Sequence, residues 1–234
     1  MLRLVWAIAS VALTLLAFRA SCAVHVRFRS PLTTPVFLAV LGIMTVLAVS
    51  GLDYVPYRRG AEPLIALLGP ATAALAVPLY KHRQTLFAHL LPAITGLVCG
   101  AMATLLAAVV LGVVLGLAPI VVRSIGIKSV TAPIAVELAP LIGGDPALTV
   151  ALVVATGILG AMLGPWLLDR AGVRDPVARG LAFGTVAHGI GTAQAATEGE
   201  IQGAVAGVAM GAAAVAVSMS APLLLPWLLH LLIR

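Results

Sequence analysis

Long apolar runs broken by short polar punctuation organise this chain. A membrane-crossing helix needs about 20 predominantly apolar residues. Runs of that kind cover residues 2–18, 34–52, 62–80, 88–118, 146–168 and 201–232. Two further apolar stretches, 120–142 and 176–196, are interrupted by glycine, proline and polar residues. The runs lack the strict alternation of an outer-membrane barrel. The pattern therefore predicts an all-α, polytopic membrane helix bundle of about six to eight segments, two of them broken or re-entrant helices. One integral membrane domain is expected over 1–234. It divides into N-terminal spans (1–60), a first repeat unit (61–118), a second (119–175), and a C-terminal broken helix with the last span (176–234). No clear small-residue cleavage site follows the 2–18 run, so it reads as a first span rather than a cleavable signal, with Cys22 in the loop beyond it. Pro222 and Pro226 predict a kink in the last run.

An internal repeat underlies the pattern. Thr72-Ala73 and Ala76-Val77 return as Thr131-Ala132 and Ala135-Val136, and Gly100-Ala101-Met102 returns 60 residues later as Gly160-Ala161-Met162. Repeats with interrupted helices in corresponding places point to a transporter's binding region. The spacing leaves open whether the units are parallel or inverted. Glycines at every fourth position, among them Gly160 with Gly164 and Gly199 through Gly211, predict close helix packing within the chain or between copies.

Composition narrows the class. The chain is 62% hydrophobic and 9% charged, against about 25% charged in a soluble domain. Its net charge of +6 comes from arginines and lysines beside apolar spans, where they set orientation and meet anionic lipid, so nucleic acid is not an expected partner. With the loop after the first span in the cytoplasm, Lys81, Arg83, Arg170, Arg174 and Arg179 fall inside if 120–142 re-enters without crossing. The acidic loop of Glu198 and Glu200 is then expected outside. The two cysteines are too isolated for a metal site or disulfide framework. No catalytic constellation or phosphate loop is present, so neither an enzyme nor a cofactor is expected, and no metal site.

The candidate chemistry lies in the two interrupted stretches. Lys128, Ser129, Thr131, Pro133 and Glu137 fall in KSVTAPIAVE. Pro133 removes a backbone donor, and such freed backbone groups are tolerated at membrane depth only in protein or a watery cavity. Lys128 is either an interfacial cation that snorkels to head groups or one that attracts an anionic solute. Ser129 and Thr131 either cap the half-helix starting there or donate to a carboxylate beside its N–H groups. Glu137 is either an interfacial or salt-bridged residue or a proton or cation carrier. In FGTVAHGIGTAQ, a continuous helix would put Thr185, His188 and Thr192 on one face. Gly189 and Gly191 weaken that helix beside His188, which is either a structural hydrogen-bonder or a ligand and proton carrier. Gln194 suits an oxygen-rich solute. Asp145 reads as a turn residue.

The stretches LGPATAALAVPLYKHR, KSVTAPIAVELAPLIGG, ATGILGAMLGP and ARGLAFGTVAHGIGTAQA, in this order, closely resemble the LrgB/CidB family of bacterial membrane proteins from about residue 35 onward. The resemblance implies a multi-pass protein of the bacterial inner (cytoplasmic) membrane and two rival functions. One is a holin/antiholin-like role in murein hydrolase export and lysis with a small LrgA/CidA-like membrane partner. The other, implied by a plastid relative that carries glycolate and glycerate and by bacterial relatives linked to pyruvate uptake, is carboxylate transport. Gln194 stands where many relatives have lysine, which removes a second cation from the anion path. Two broken polar segments favour the carrier, working by alternating access with proton or cation coupling through Glu137 or His188. In that reading Lys128, Ser129 and Thr131 meet the carboxylate and His188, Thr192 and Gln194 its second oxygen. A homo-oligomer is expected.

Overall fold

The computed structural model describes residues 2–28, 30–67, 70, 73–74, 76–81, 83–84 and 90–232. Thr72, part of the repeat, lies outside the described residues. The chain forms two compact units, Met1–Ala74 and Leu75–Arg234.

In the first unit, α1 (Leu2–Arg27) is followed by a 3₁₀ turn (Pro31–Thr33), α2 (Pro35–Ser50), α3 (Tyr54–Gly60) and α4 (Glu62–Ala66). α1 outruns the apolar stretch that predicts it, so Cys22 is helical rather than in a loop. Nothing between Ala17 and Arg27 breaks a helix, and Ser21 satisfies its hydroxyl on Ala17 O at 2.7 Å. The stop comes at Ser30-Pro31, where Ser30 and Thr33 form a capping box. α1 packs against α2 and α3.

The second unit holds α5 (Ala76–Lys81), α6 (Leu90–Val114), α7 (Pro119–Gly126), α8 (Ala132–Leu141), α9 (Pro146–Arg170), α10 (Pro176–Glu198) and α11 (Glu200–Leu232). Among the described residues, α1, α6, α9 and α11 are long and apolar enough to cross a membrane. α11 is one helix despite Pro222 and Pro226, because Ala221, Leu225, Leu228 and Leu229 are buried around them and neighbouring helices hold the backbone.

Neither interrupted stretch crosses. α7 runs back along α6, placing Val122 against Gly112 and Gly126 against Val109. Asp145 N then donates to Ser124 Oγ at 2.9 Å. A straight helix would separate those residues by roughly 30 Å. So the chain enters, turns at Ile127–Thr131 and returns. α10 does the same. Arg179 Nε lies 2.6 Å from Glu198 Oε2, although 19 residues of straight helix would span roughly 28 Å. Its two arms fold back at His188, the one non-glycine residue with positive φ among the described residues (φ 41, ψ −134).

The hairpins enter from opposite faces. α6 and α9 run in opposite directions, and each is followed by a hairpin that dips back from the face its helix has just reached. The first tip reaches the level of Thr104, near the middle of α6. The second reaches Val153 and Gly157, near the middle of α9. Met210 of α11 lies beside that second tip, about 15 Å along its helix, or half the hydrocarbon thickness. Lys128 and His188 stand 60 residues apart, the offset that relates Gly100-Ala101-Met102 to Gly160-Ala161-Met162. The helix–hairpin pairs are thus inverted relative to each other. The first hairpin is packed in the main core, with Val122, Ile127, Val130 and Ala135 against Leu105, Val153, Val217 and Leu225.

Re-entry also corrects the expected orientation. Glu198 and Glu200 lie on the same face as the basic residues they were expected to oppose. Arg179 binds Glu198, and Lys81 Nζ reaches Glu200 Oε1 at 3.2 Å. The segment 176–198 has the length to span but breaks at its centre, so its two ends emerge together.

Candidate functional site

The first break is built by local chemistry. α7 ends in tight turns, with Lys128 N donating to Ile125 O and Val130 N to Ile127 O, both at 3.2 Å. Thr131 then takes extended backbone (φ −72, ψ 150) as the N-cap residue of α8. Pro133 sits in the first turn of α8, where a missing N–H costs nothing. The Thr131 hydroxyl makes no capping bond, contrary to the capping option above, which leaves the first N–H groups of α8 without a side-chain acceptor. Ser129 is buried beside them.

Lys128 is half-buried and lines a cleft of about 390 Å³. Thr156, Gly160 and Gly164 of α9 and Phe183, Val186 and Ala187 of α10 form its walls. Lys128 and Thr156 are its polar side chains. The ammonium has one hydrogen bond among the described residues, a long one of 3.5 Å to Thr104 O. An ammonium carries three donors, so this one is under-satisfied.

The second break faces the same region. Ala187 lies over Gly160, Phe183 over Gly164, and the His188 ring over Gly157. His188 is buried, and its Nε2–H donates to Val153 O at 2.9 Å. Thr192 Oγ1 donates to His188 O at 2.8 Å and closes the turn. Gly191 is pressed against Ala187 and against Phe183 O, so the arms touch just behind the tip.

The predicted common face of Thr185, His188 and Thr192 does not exist. Chain reversal at His188 sends the three to different neighbours. Thr185 packs its methyl on Gly100 of α6 and lines a separate cleft of about 450 Å³. His188 meets α9, and Thr192 meets Met210 of α11. Gly189 is exposed, and Gln194 is half-buried and lines neither cleft. Pro133 and Glu137 share the exposed face of α8 and stand outside the Lys128 cleft. The structure thus joins Lys128 to the tip containing Ala187 and His188, and leaves Glu137 and Gln194 apart.

Two features carry no local signal in the sequence. One is Gly157, whose role depends on the ring across from it. The other is an ion cluster around the buried Arg179 at the base of the second hairpin. There Arg179 holds Glu198 through Nε at 2.6 Å and Nη2 at 3.0 Å, Asp169 through Nη1 at 2.6 Å, and Val173 O at 3.0 Å.

Gly157→Ala tests the tip packing. A methyl there would lie 2.6 Å from His188 Cε1 and 2.8 Å from Ile190 Cδ1. Overpacking of this kind costs about 1–3 kcal/mol, so the thermal midpoint of the detergent-solubilised protein is expected to fall. Gly189→Ala, whose methyl would meet only Met210 Sδ at 3.8 Å, is expected to leave it unchanged.

The profile described as LrgB-like family matches residues 14–227. The protein YxaC of Bacillus subtilis, described as uncharacterized, is 32% identical over 83% of this chain and 85% of its own length. The Holin-like protein CidB of Staphylococcus epidermidis is 28% identical over 81% of this chain and 82% of its own. That of Staphylococcus aureus is 27% identical over 82% and 83%. No solved structure matches.

Proposed function

Because this chain belongs to the LrgB-like family of multi-pass membrane proteins, we propose that it is a carrier for small carboxylates in a bacterial inner membrane. One observation carries this reading: two hairpins from opposite faces end at mid-depth beside an under-satisfied ammonium in a largely apolar cleft. A half-buried cation among apolar groups is costly unless something pairs with it. A carboxylate would supply that partner. The rest of the cleft offers Thr156 and apolar walls, which suits a compact monocarboxylate of the pyruvate, lactate or glycolate type. His188 holds the opposite tip in place. The inverted arrangement of the hairpins gives each face its own half of the path, as alternating access requires. Glu137 lies off the cleft, so coupling through it would need a route that leaves Lys128 aside.

The name of the staphylococcal relatives favours a second reading more directly than the first: a holin-like protein that modulates lysis, acting with an LrgA/CidA-like partner. Proteoliposomes separate the two. The carrier is expected to accumulate labelled pyruvate, lactate or glycolate, saturably and without leakage of a large entrapped dye. Dye release, or no uptake with or without the small partner, would favour the holin-like reading.

A further inference from the structure

We propose that the second hairpin is a gate that opens at its tip while its base stays clamped. The base is held by four contacts of one buried guanidinium. Arg179 ties the incoming arm to Glu198 of the returning arm, to Asp169 at the end of α9, and to the carbonyl of Val173. Bidentate arginine–carboxylate pairs are strong and geometrically specific. The incoming arm is also seated flush on α11. A methyl on Gly180 would lie 2.6 Å from Gln202 O, and one on Gly184 would run into Ala206 O. The tip packs on α9, with Ala187 over Gly160 and with His188 and Ile190 over Gly157, but among the described residues no ion pair fastens it. His188 carries positive φ, a conformation that stores strain in any residue but glycine and clusters at sites that switch. Gly189 beside it is exposed, and a methyl there would find only Met210 Sδ within 4 Å. Among the described residues, the hydrogen bonds that join the tip to other helices are the one from His188 Nε2 to Val153 O and a long one of 3.9 Å from Thr192 Oγ1 to Met210 Sδ. Breaking the His188 bond frees the wall of the Lys128 cleft formed by Val186 and Ala187. A base-opening hairpin would instead have to break the ion cluster and part Arg179 from Glu198.

This inference rests on the carrier reading for what passes the gate, so its first test reads backbone opening and needs no transport. Hydrogen exchange followed by mass spectrometry on the full chain in lipid nanodiscs is expected to be at least tenfold faster over residues 186–192 than over 176–181. His188→Ala, which removes the ring bond and keeps a side chain at the positive-φ position, is expected to accelerate the tip at least tenfold further and leave the base unchanged. A common rate for tip and base, or acceleration of both by His188→Ala, would overturn the proposal. A second test uses Gly189→Cys with Met210→Cys in a background where Cys22 and Cys99 are serine. Closing that bridge is expected to stop carboxylate uptake, and reductant to restore it. Undiminished uptake across the closed bridge would also overturn the gate. If the exchange contrast holds while the parent protein carries nothing, the gate stands and the carrier reading fails.

Discussion

Lys128→Ala is expected to lower carboxylate uptake at least hundredfold in proteoliposomes while leaving insertion and thermal midpoint intact. A charge-assisted hydrogen bond contributes about 1.5–3 kcal/mol, and leaving one partner of a desolvated pair without the other costs about 2–5 kcal/mol. A loss near 3 kcal/mol is about a hundredfold. Stability responds differently because, among the described residues, the ammonium is fastened by one 3.5 Å contact with Thr104 O. Removing a poorly satisfied charge from apolar surroundings is neutral or mildly stabilising. Lys128→Met keeps the length of the side chain without its charge, so it is expected to behave like the alanine variant in uptake. Lys128→Arg keeps the charge but brings a broader planar head into a cleft walled by Phe183 and Leu163, and is expected to retain partial uptake with a raised KM. Full uptake by the alanine or methionine variant would remove Lys128 from the binding step.

What was readable in the chain were the places where backbone chemistry fails locally. A lysine, two hydroxyls and Pro133 within one apolar stretch mark the turn at Ile127–Thr131, and paired glycines mark the one at His188. Each break depends on residues adjacent in sequence. The direction the chain takes after a break does not. A continuous α10 puts Thr185, His188 and Thr192 on one face, whereas the folded hairpin sends them to α6, α9 and α11. The missing information lay 19 residues away, in the pairing of Arg179 with Glu198, and in α11, whose backbone admits Gly180 and Gly184. The same error placed Glu198 and Glu200 on the wrong face, because positive-inside counting assumes that each apolar stretch of spanning length crosses. Matching stretches at an offset of 60 are visible in the sequence, but the opposite sense of the two helix–hairpin pairs is not: opposite running directions for α6 and α9 require a first hairpin that returns to the face it left.

Arg179→Ala is expected to be the most destabilising single change in the second unit, costing about 3–5 kcal/mol, because it strands a buried carboxylate. The Glu198 side chain is only 14% exposed, and both its oxygens are held by the guanidinium. Asp169, 68% exposed, has water to fall back on and contributes less. Glu198→Ala should therefore cost much more than Asp169→Ala, although each removes one carboxylate from the cluster. A shift of that size lowers the midpoint of a chain this long by roughly 10 °C. Arg179→Lys restores the charge but presents one ammonium where a planar fork reached two carboxylates and a carbonyl, so it is expected to recover less than half of the loss. Pairing Arg179→Ala with Glu198→Ala distinguishes an ion-specific clamp from general packing. If the cost arises from the stranded charge, the double variant is expected to be more stable than Arg179→Ala alone. If the double variant is less stable by the sum of the single effects, the arms of the hairpin are held by packing alone and the cluster has no special role at their base.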